Sequence, residues 1–339
     1  MAISNDWRSD DLGPDFEQAT LYTRDDAEAT LIRHVPSTSV DVTGELGSAE
    51  SVRPVAVLYL HGFVDYFFHP HVAEALSDAG YAFYAVDLRG YGRSMEAHIE
   101  AGHDPNMVPD IGVHAADLDA AAAAIRARGH EKLVLLAHSM GGLVGTLWSA
   151  GAHPDSGLRA DALVLNSPWF DLNENALLRG VGTDAIAALA TVAPHAPVGS
   201  LAPHYGKALH LDTGGEWAYN LPWKPHGGFP VQASWLSSIR QGHRRIMNWL
   251  IDLEIPVLVV ASTRSGNAKD WHPEVITTDS VLDVGDIAVG ASRIGGDVTF
   301  VQIPGGAHDL ALSRQQARSE YLATIVDWLE SRVPPDGSN

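Results

Sequence analysis

The sequence predicts an α/β fold: a mostly parallel central sheet with helices on both faces and an inserted, mainly helical cap. Three observations predict it. Short, predominantly apolar runs at 55–60, 81–88, 132–138 and 160–170, the first of them apolar at every position, suit strands buried on both faces. Each interval between them is long enough to hold a crossover helix, which parallel strands require. The alternation then breaks after 170 and resumes near 254. Residues 1–170 and 254–339 therefore read as one core, and 171–253 as a cap or lid insertion too long to be a plain loop.

The elements follow in order. Residues 16–36 read as early extended structure, with ATLIRHV the clearest piece, and VTGELGSAESVRP as a polar connection. VAVLYL (55–60) is a buried strand ending in His-Gly. HPHVAEALSDAG (69–80) is a helix closing on glycine. YAFYAVDL (81–88) is a second strand, running into the glycine-rich turn RGYGRS. Residues 111–129 form an alanine-rich helix that also ends on glycine. KLVLLAH (132–138) is a strand, GGLVGTLWSAGAH (141–153) a helix and ADALVLNSPWF (160–170) a further strand. The insertion holds helical pieces, NALLRGVGTDAIAALATV and ASWLSSIRQGHRRIMNWL, around the aromatic turns of GGEWAYNLPWKPHGGFP. IPVLVVAS (255–262) and DVTFVQI (297–303) complete the sheet, and 314–332 is a closing helix.

Composition narrows the function classes. The chain has 339 residues, 45% of them hydrophobic, which is enough for one large core. It has no cysteine, which excludes disulfides, cysteine-ligated metals and a cysteine nucleophile. Its 42 acidic and 22 basic residues give a formal net charge of −20, so nucleic acid and anionic membranes are poor partners. The first residues carry acids and no apolar run, unlike a signal peptide, and no stretch approaches the roughly 20 apolar residues of a membrane span. A cytoplasmic location is the expectation, with no cofactor and no metal; monomer and homodimer both stay open.

The chemistry is concentrated in LVLLAHSMGGLVG (133–145). A buried strand runs through Ala137-His138-Ser139-Met140-Gly141 straight into a helix. This is the strand–turn–helix setting of a G-x-S-x-G nucleophile turn, with Ala137 in place of the first glycine. Such a turn lifts the Ser139 hydroxyl above the sheet edge. It also places the Met140 N–H at the helix start, where it can face a developing oxyanion. The strand ending in Leu60-His61-Gly62-Phe63-Val64-Asp65 supplies a second donor, the Phe63 N–H, and Gly62 permits the close approach. His61 reads as a residue that orders this loop.

In sheets that carry such an elbow, the chain order is serine, acid, histidine. The base is therefore expected after the last strand, in VTFVQIPGGAHDLALS, which points to His308 among 17 histidines. Asp309, its neighbour, is a candidate to orient the loop rather than to complete the triad. The acid is expected beyond 255–262, where Asp270, Asp279, Asp283 and Asp286 all occur. Asp279 is preferred because it heads Asp-Ser-Val-Leu before a short helix; Asp283 is the alternative. The implied reaction is two-step acyl transfer through a covalent intermediate on Ser139.

Together, LYLHGF, VDLRGYGRS, LLAHSMGG and PGGAHD resemble the α/β-hydrolase superfamily. They are more closely similar to the group of monoacylglycerol lipases, lysophospholipases and serine-aminopeptidase-like (S33-type) hydrolases. The resemblance spans about 28–170 and 254–334. It implies nucleophile Ser139, base His308, and oxyanion amides at Phe63 and Met140. Asp279 matches the family acid in its following apolar residues, but about a dozen extra residues precede it. DLRGYGRS reads as a structural loop with Asp87 and Arg89 paired or hydrogen-bonded.

The substrate expected is a small acyl ester, monoacylglycerol-like, lysophospholipid-like or of modest chain length, together with water. His61, Trp217, Trp223, Phe229 and Trp235 are candidates to line its pocket; the aromatic residues could equally attach the cap to the core. An amide or peptide hydrolase of the serine-aminopeptidase type would need a carboxylate in the cap for an α-ammonium group, and Glu174 and Glu216 are candidates. A catalytically inactive, ligand- or protein-binding module is the rival of another class. It would be favoured by a lost nucleophile, base or oxyanion loop, and all three are present in the sequence.

Overall fold

Alternation along a single strand shows how the sheet is covered. In Val55–Leu60, Val55, Val57 and Tyr59 pack into one hydrophobic cluster, and Ala56, Leu58 and Leu60 into another on the opposite face. A run that is apolar at every position is thus buried on both sides, as parallel strands require. The computed structural model describes residues 2–3, 6–36, 52–152, 158–172 and 182–338.

In chain order the core begins with β1 (Ala2–Ile3), β2 (Arg8–Asp10), β3 (Gly13–Tyr22), β4 (Glu28–His34), β5 (Val55–Leu60), α1 (Pro70–Asp78) and β6 (Ala82–Asp87). It continues through α2 (Met95–Glu100), α3 (His114–Arg126), β7 (Lys132–His138), α4 (Met140–Ser149) and β8 (Ala162–Asn166). After an interval come α5 (Thr183–Val192), β9 (Pro197–Gly199), α6 (His204–Leu209), β10 (Val231–Gln232) and α7 (Ala233–Met247). The chain returns to the sheet with β11 (Val257–Ser262), α8 (Val284–Ala291), β12 (Val298–Ile303) and α9 (Gln315–Arg332).

The described sheet has the order β1-β3-β4-β6-β5-β7-β8-β11-β12, with β2 on the edge of β3. From β6 to β12 all pairings are parallel; the N-terminal strands add antiparallel pairs. One face is covered by α3, α4 and α8 through Leu118, Ile125, Leu143, Leu147 and Ile287. The other is covered by α1 and α9 through Val72, Leu76, Tyr321, Ile325 and Leu329. This is the α/β-hydrolase fold, with a mostly parallel sheet between helices and an inserted helical region.

Some boundaries differ from the sequence expectation for local reasons. The strand expected over 160–170 ends at Asn166, because Ser167 turns at a φ of 45° and Pro168 has no N–H to donate. The helix expected to start at 111 begins with a 3-10 turn at Ile111–Val113, capped by the Asp110 carboxylate on Gly112 N–H. Between β8 and β11, α6 and the small β9–β10 sheet join the two expected helical stretches. Residues 173–181, which include part of the first stretch and Glu174, lie outside the described residues. Among the described residues no helix is long and apolar enough to cross a membrane.

Candidate functional site

The carboxyl ends of β5, β7, β8 and β11 are held side by side. Leu60 pairs with Ala137, His138 with Asn166, and Asn166 with Val260. At the end of β7 the backbone reverses at Ser139, with φ 52° and ψ −116°, and α4 begins at the next residue. A positive φ at a non-glycine residue is uncommon and costs energy, so the neighbours must impose it. They do so through contact. A Cβ on Gly141 would stand 2.8 Å from the Leu60 carbonyl oxygen and closer still to that of His61. A Cβ on Gly62 would stand 3.1 Å from the Ser139 Cβ. Ala137 is fully buried, with a single methyl in the position where the pattern has glycine. The Ser139 N–H donates to Asn166 O at 3.0 Å, and the Trp169 N–H to Ser139 O at 2.9 Å, so the turn is fixed from both sides.

Ser139 Oγ lies 3.0 Å from His308 Nε2, and His308 Nδ1 lies 3.0 and 3.1 Å from the two carboxylate oxygens of Asp279. Serine donates to one ring nitrogen while the other donates to the carboxylate. Asp279 is completely buried, and its Oδ1 also accepts the N–H groups of Val281 and Leu282 at 3.0 and 2.7 Å. The extra residues before it form an excursion. The chain leaves at Arg264–Gly266 and returns so that Asp279 N–H donates to Arg264 O (2.9 Å) and Gly266 N–H to Asp279 O (2.6 Å). Asp279 is thereby delivered close to the end of β11. Asp283 is used differently: its carboxylate caps α8 on the N–H groups of Gly285 and Asp286.

Beside the histidine lies a second buried polar group. Asp309 accepts from Asn166 Nδ2 (2.8 Å) and Ala311 N–H (3.0 Å), approaches His69 Nε2 at 3.2 Å, and donates its own N–H to the Tyr205 hydroxyl at 2.8 Å. Burial pushes its carboxyl up, but His138, His69 and Asn166 together hold it well below the usual carboxylate range. The His138 ring stands 4.9 Å from that of His308, and burial pushes it down to about 4, so it is neutral there. The Tyr205 ring, from α6, meets His308 edge-on at 5.8 Å.

Ligand atoms of Asp65, His138 and Asp309 lie within 4.8 Å of one another, which is a conceivable metal trio. The cation already at Asp65 is Lys224, whose Nζ lies 2.5 Å from its Oδ1. Burial pushes Asp65 up, but the Lys224 ammonium and, to a lesser degree, His69 and His138 hold it below its ordinary value.

The other expected residues are placed as follows. His61 is fully buried; its Nδ1 is 2.8 Å from Gly62 O, and its Nε2 accepts the Leu88 N–H at 3.1 Å. It orders the loop and presents no surface to a pocket. Phe63 is partly exposed, and its ring lies 4.3 Å from that of Trp235 on α7. Trp217 donates to Leu312 O at 2.9 Å and stacks on His71 at 4.9 Å; Trp223 meets Tyr66 edge-on at 5.2 Å. Both attach the insertion to the core. Phe229 is half-buried. Asp87 and Arg89 are each paired, but not to one another: Asp87 with Arg93 at 2.8 Å, Arg89 with Asp117 at 2.7 Å and with Asp25. Sequence reading missed Asp65, His138, Tyr205 and Lys224, because their partners lie far away along the chain and no local pattern marks them.

Comparisons with known proteins agree with this architecture. The family described as serine aminopeptidase, S33, matches residues 53–266, more than half of the chain. A monoacylglycerol lipase from Paleococcus ferrophilus is 18% identical with a TM-score of 0.58, over 81% of this chain and 94% of its own. A soluble variant of monoglyceride lipase from Saccharomyces cerevisiae, in complex with a substrate analogue, is 15% identical with a TM-score of 0.60, over 98% and 95%. A thermostable carboxyl esterase from Bacillus coagulans, in complex with glycerol, is 14% identical with a TM-score of 0.61, over 94% and 99%. At these identities the solved structures speak to the fold. The match over 53–266 holds the serine turn and stops short of Asp279 and His308. By it, the chain belongs to the serine aminopeptidase, S33, family of the α/β-hydrolases.

Proposed function

We propose that the protein hydrolyses carboxylic esters through a covalent acyl-enzyme on Ser139. The observation that carries this reading is the continuous hydrogen-bonded chain Ser139–His308–Asp279 at the end of a strained strand-to-helix turn. His308 Nε2 takes the hydroxyl proton as Ser139 Oγ attacks the acyl carbonyl. Asp279 holds the Nδ1–H tautomer and stabilises the imidazolium. The N–H groups of Phe63 and Met140 receive the oxyanion; among the described residues neither has a backbone or side-chain acceptor. The imidazolium then protonates the leaving alcohol. Water, deprotonated by His308, releases the acid and restores the serine. Neutral His138 leaves the adjacent imidazolium unopposed during this cycle.

Esters are favoured over peptides by the fate of the carboxylates. Glu216 is exposed and paired with Arg314 at 2.6 Å, with Arg318 3.7 Å away, and Asp65 is paired with Lys224. Neither is free to hold an α-ammonium group. Glu174 lies outside the described residues. The insertion over 171–253 serves as the cap; Trp235 on α7 is buried in the core and backs the partly exposed Phe63 ring rather than lining a pocket. Glycerol-based and small to medium acyl esters fit this reading, in line with the likeness to the monoacylglycerol lipases and the carboxyl esterase.

The test is a panel of p-nitrophenyl esters, acetate through palmitate, set against aminoacyl p-nitroanilides, with the parent and S139A. Chain-length-dependent ester turnover that disappears in S139A is expected. Faster anilide than ester cleavage would turn the assignment to a peptidase. Equal activity in S139A would remove Ser139 from the reaction.

A further inference from the structure

We infer that Lys224 is a positioning residue: from the inserted segment it holds the Phe63–Val64–Asp65 turn in the conformation that presents the Phe63 amide to the oxyanion. The inference rests on the esterase reading of the Ser139 site and adds a requirement to it.

Val64 has a φ of 51°. A β-branched side chain in the left-handed region is a genuine outlier, and it persists only where surrounding contacts over-determine it. The residue before it is Phe63. The core fixes the far end of this segment: the Phe67 N–H donates to Asp87 Oδ1 at 2.9 Å. The Val64–Asp65 end is held from the insertion. Lys224 Nζ donates to Asp65 Oδ1 at 2.5 Å and reaches Val64 O at 3.4 Å. Gly228, four residues on, lies against Val64, since a Cβ there would stand 3.2 Å from Val64 Cγ2. Asn220 N–H donates to the Tyr66 hydroxyl at 2.7 Å, closing the same clasp.

Charge makes the clasp more than a surface contact. The Asp65 carboxylate is 1% exposed, and the Lys224 side chain 13%. The ammonium also faces the rings of Phe68 and Tyr219 at 5.5 and 5.8 Å, where a cation is attracted to the ring faces. Without Lys224, Asp65 and Asp309 would be two buried carboxylates within the same small volume, with Asp65 Oδ2 already lacking a partner. Loss of Lys224 would leave the Asp65 charge uncompensated, which costs stability, and would remove the ties at Asp65 Oδ1 and Val64 O that hold the turn from the insertion side. The position of the insertion and the shape of the oxyanion turn are therefore one equilibrium: a cap that lifts takes Lys224 away and releases the turn.

The experiment compares K224M, K224R and the double variant D65N/K224M with the parent. Two readouts are used: ester kinetics, and hydrogen–deuterium exchange of the peptide containing residues 62–68. K224M is expected to lose roughly 10- to 100-fold in kcat with KM within about threefold, the signature of lost transition-state positioning rather than lost substrate binding. Exchange over 62–68 should rise while the sheet stays protected. K224R should recover most of the rate. The double variant removes the buried charge together with the lysine; it should keep the parent's thermal stability yet retain the faster exchange. Unchanged exchange over 62–68 in folded K224M, or a kcat within twofold of the parent, would overturn the inference. Exchange needs no turnover, so it decides on the tether even if S139A shows the esterase reading to be mistaken.

Discussion

Ser139 keeps its φ of 52° because strand and helix approach so closely around it, an approach that only glycine at 62 and 141 permits. This gives very unequal expectations for two one-methyl changes. G141A drives a Cβ into the carbonyl oxygens of Leu60 and His61, which cannot both retreat; a loss of about 3 kcal/mol or more, or failure to fold, is expected in urea denaturation. A137G, which restores the glycine of the common pattern, should cost only about 0.5–1 kcal/mol for added chain freedom and leave kcat within about twofold. D279N should lower kcat by about 10⁴-fold while the fold persists, because the tautomer of His308 is then no longer held. The strand-to-helix turn at Ser139 was readable from sequence because all of its constraints are local: strand, small flanks and helix follow one another within a few residues. The aspartate that faces His308 was less readable. Asp270, Asp279, Asp283 and Asp286 all follow β11, and only the return of the chain at Arg264–Gly266 brings Asp279 rather than Asp283 to His308. Asp65 and Lys224 were not readable at all, since the pair spans 159 residues.

At the scale of elements, the strands of the parallel core and their crossover helices were legible because burial on both faces leaves an unmistakable run of apolar residues. The interior of the insertion was harder. The six residues of α6 and the two- and three-residue strands β10 and β9 are too short to carry a periodic signal. What holds them is tertiary. The Tyr205 hydroxyl accepts the Asp309 N–H, and the Trp217 indole N–H donates to Leu312 O. One tie of α7 is ionic. Arg240 pairs with Asp171, just beyond β8; burial pushes the Asp171 carboxyl up, but the Arg240 guanidinium and the Leu172 N–H, with a lesser part from His243, together hold it below its ordinary value. Both side chains are about nine-tenths buried. Removing the guanidinium takes a buried ionic partner from Asp171, so R240M should cost roughly 3–5 kcal/mol in chemical denaturation. R240M/D171N should recover a large part of that loss, which distinguishes a charge effect from lost packing.

For the whole molecule, acidification is the informative variable. His71 and His138 are both pushed down to about 4, chiefly by burial. In the unfolded chain each takes up a proton near pH 6.5, whereas in the folded protein it stays neutral until about pH 4. Stability is thus full above pH 6.5 and falls as pH drops toward 4, by up to about 1.4 kcal/mol per pH unit for each proton taken up only by the unfolded state. Asp309, held below its unfolded value near 3.9, extends the loss at still lower pH, where the unfolded carboxyl protonates first. Melting temperatures from pH 8 to pH 4 should show this decline, and H138Q should flatten part of it between 6.5 and 4. A profile that is level across that interval in the parent would contradict the burial of neutral histidines behind the site.

The central claim, a covalent acyl-enzyme on Ser139, is tested most directly by rapid mixing with a p-nitrophenyl ester, acid quench, and mass spectrometry of the digest. The account predicts a burst of p-nitrophenol close to one equivalent per chain, an acyl mass on the peptide containing Ser139, and neither in S139A. Hydrolysis with no burst and no acyl mass on that peptide, at the same rate in S139A, would contradict it.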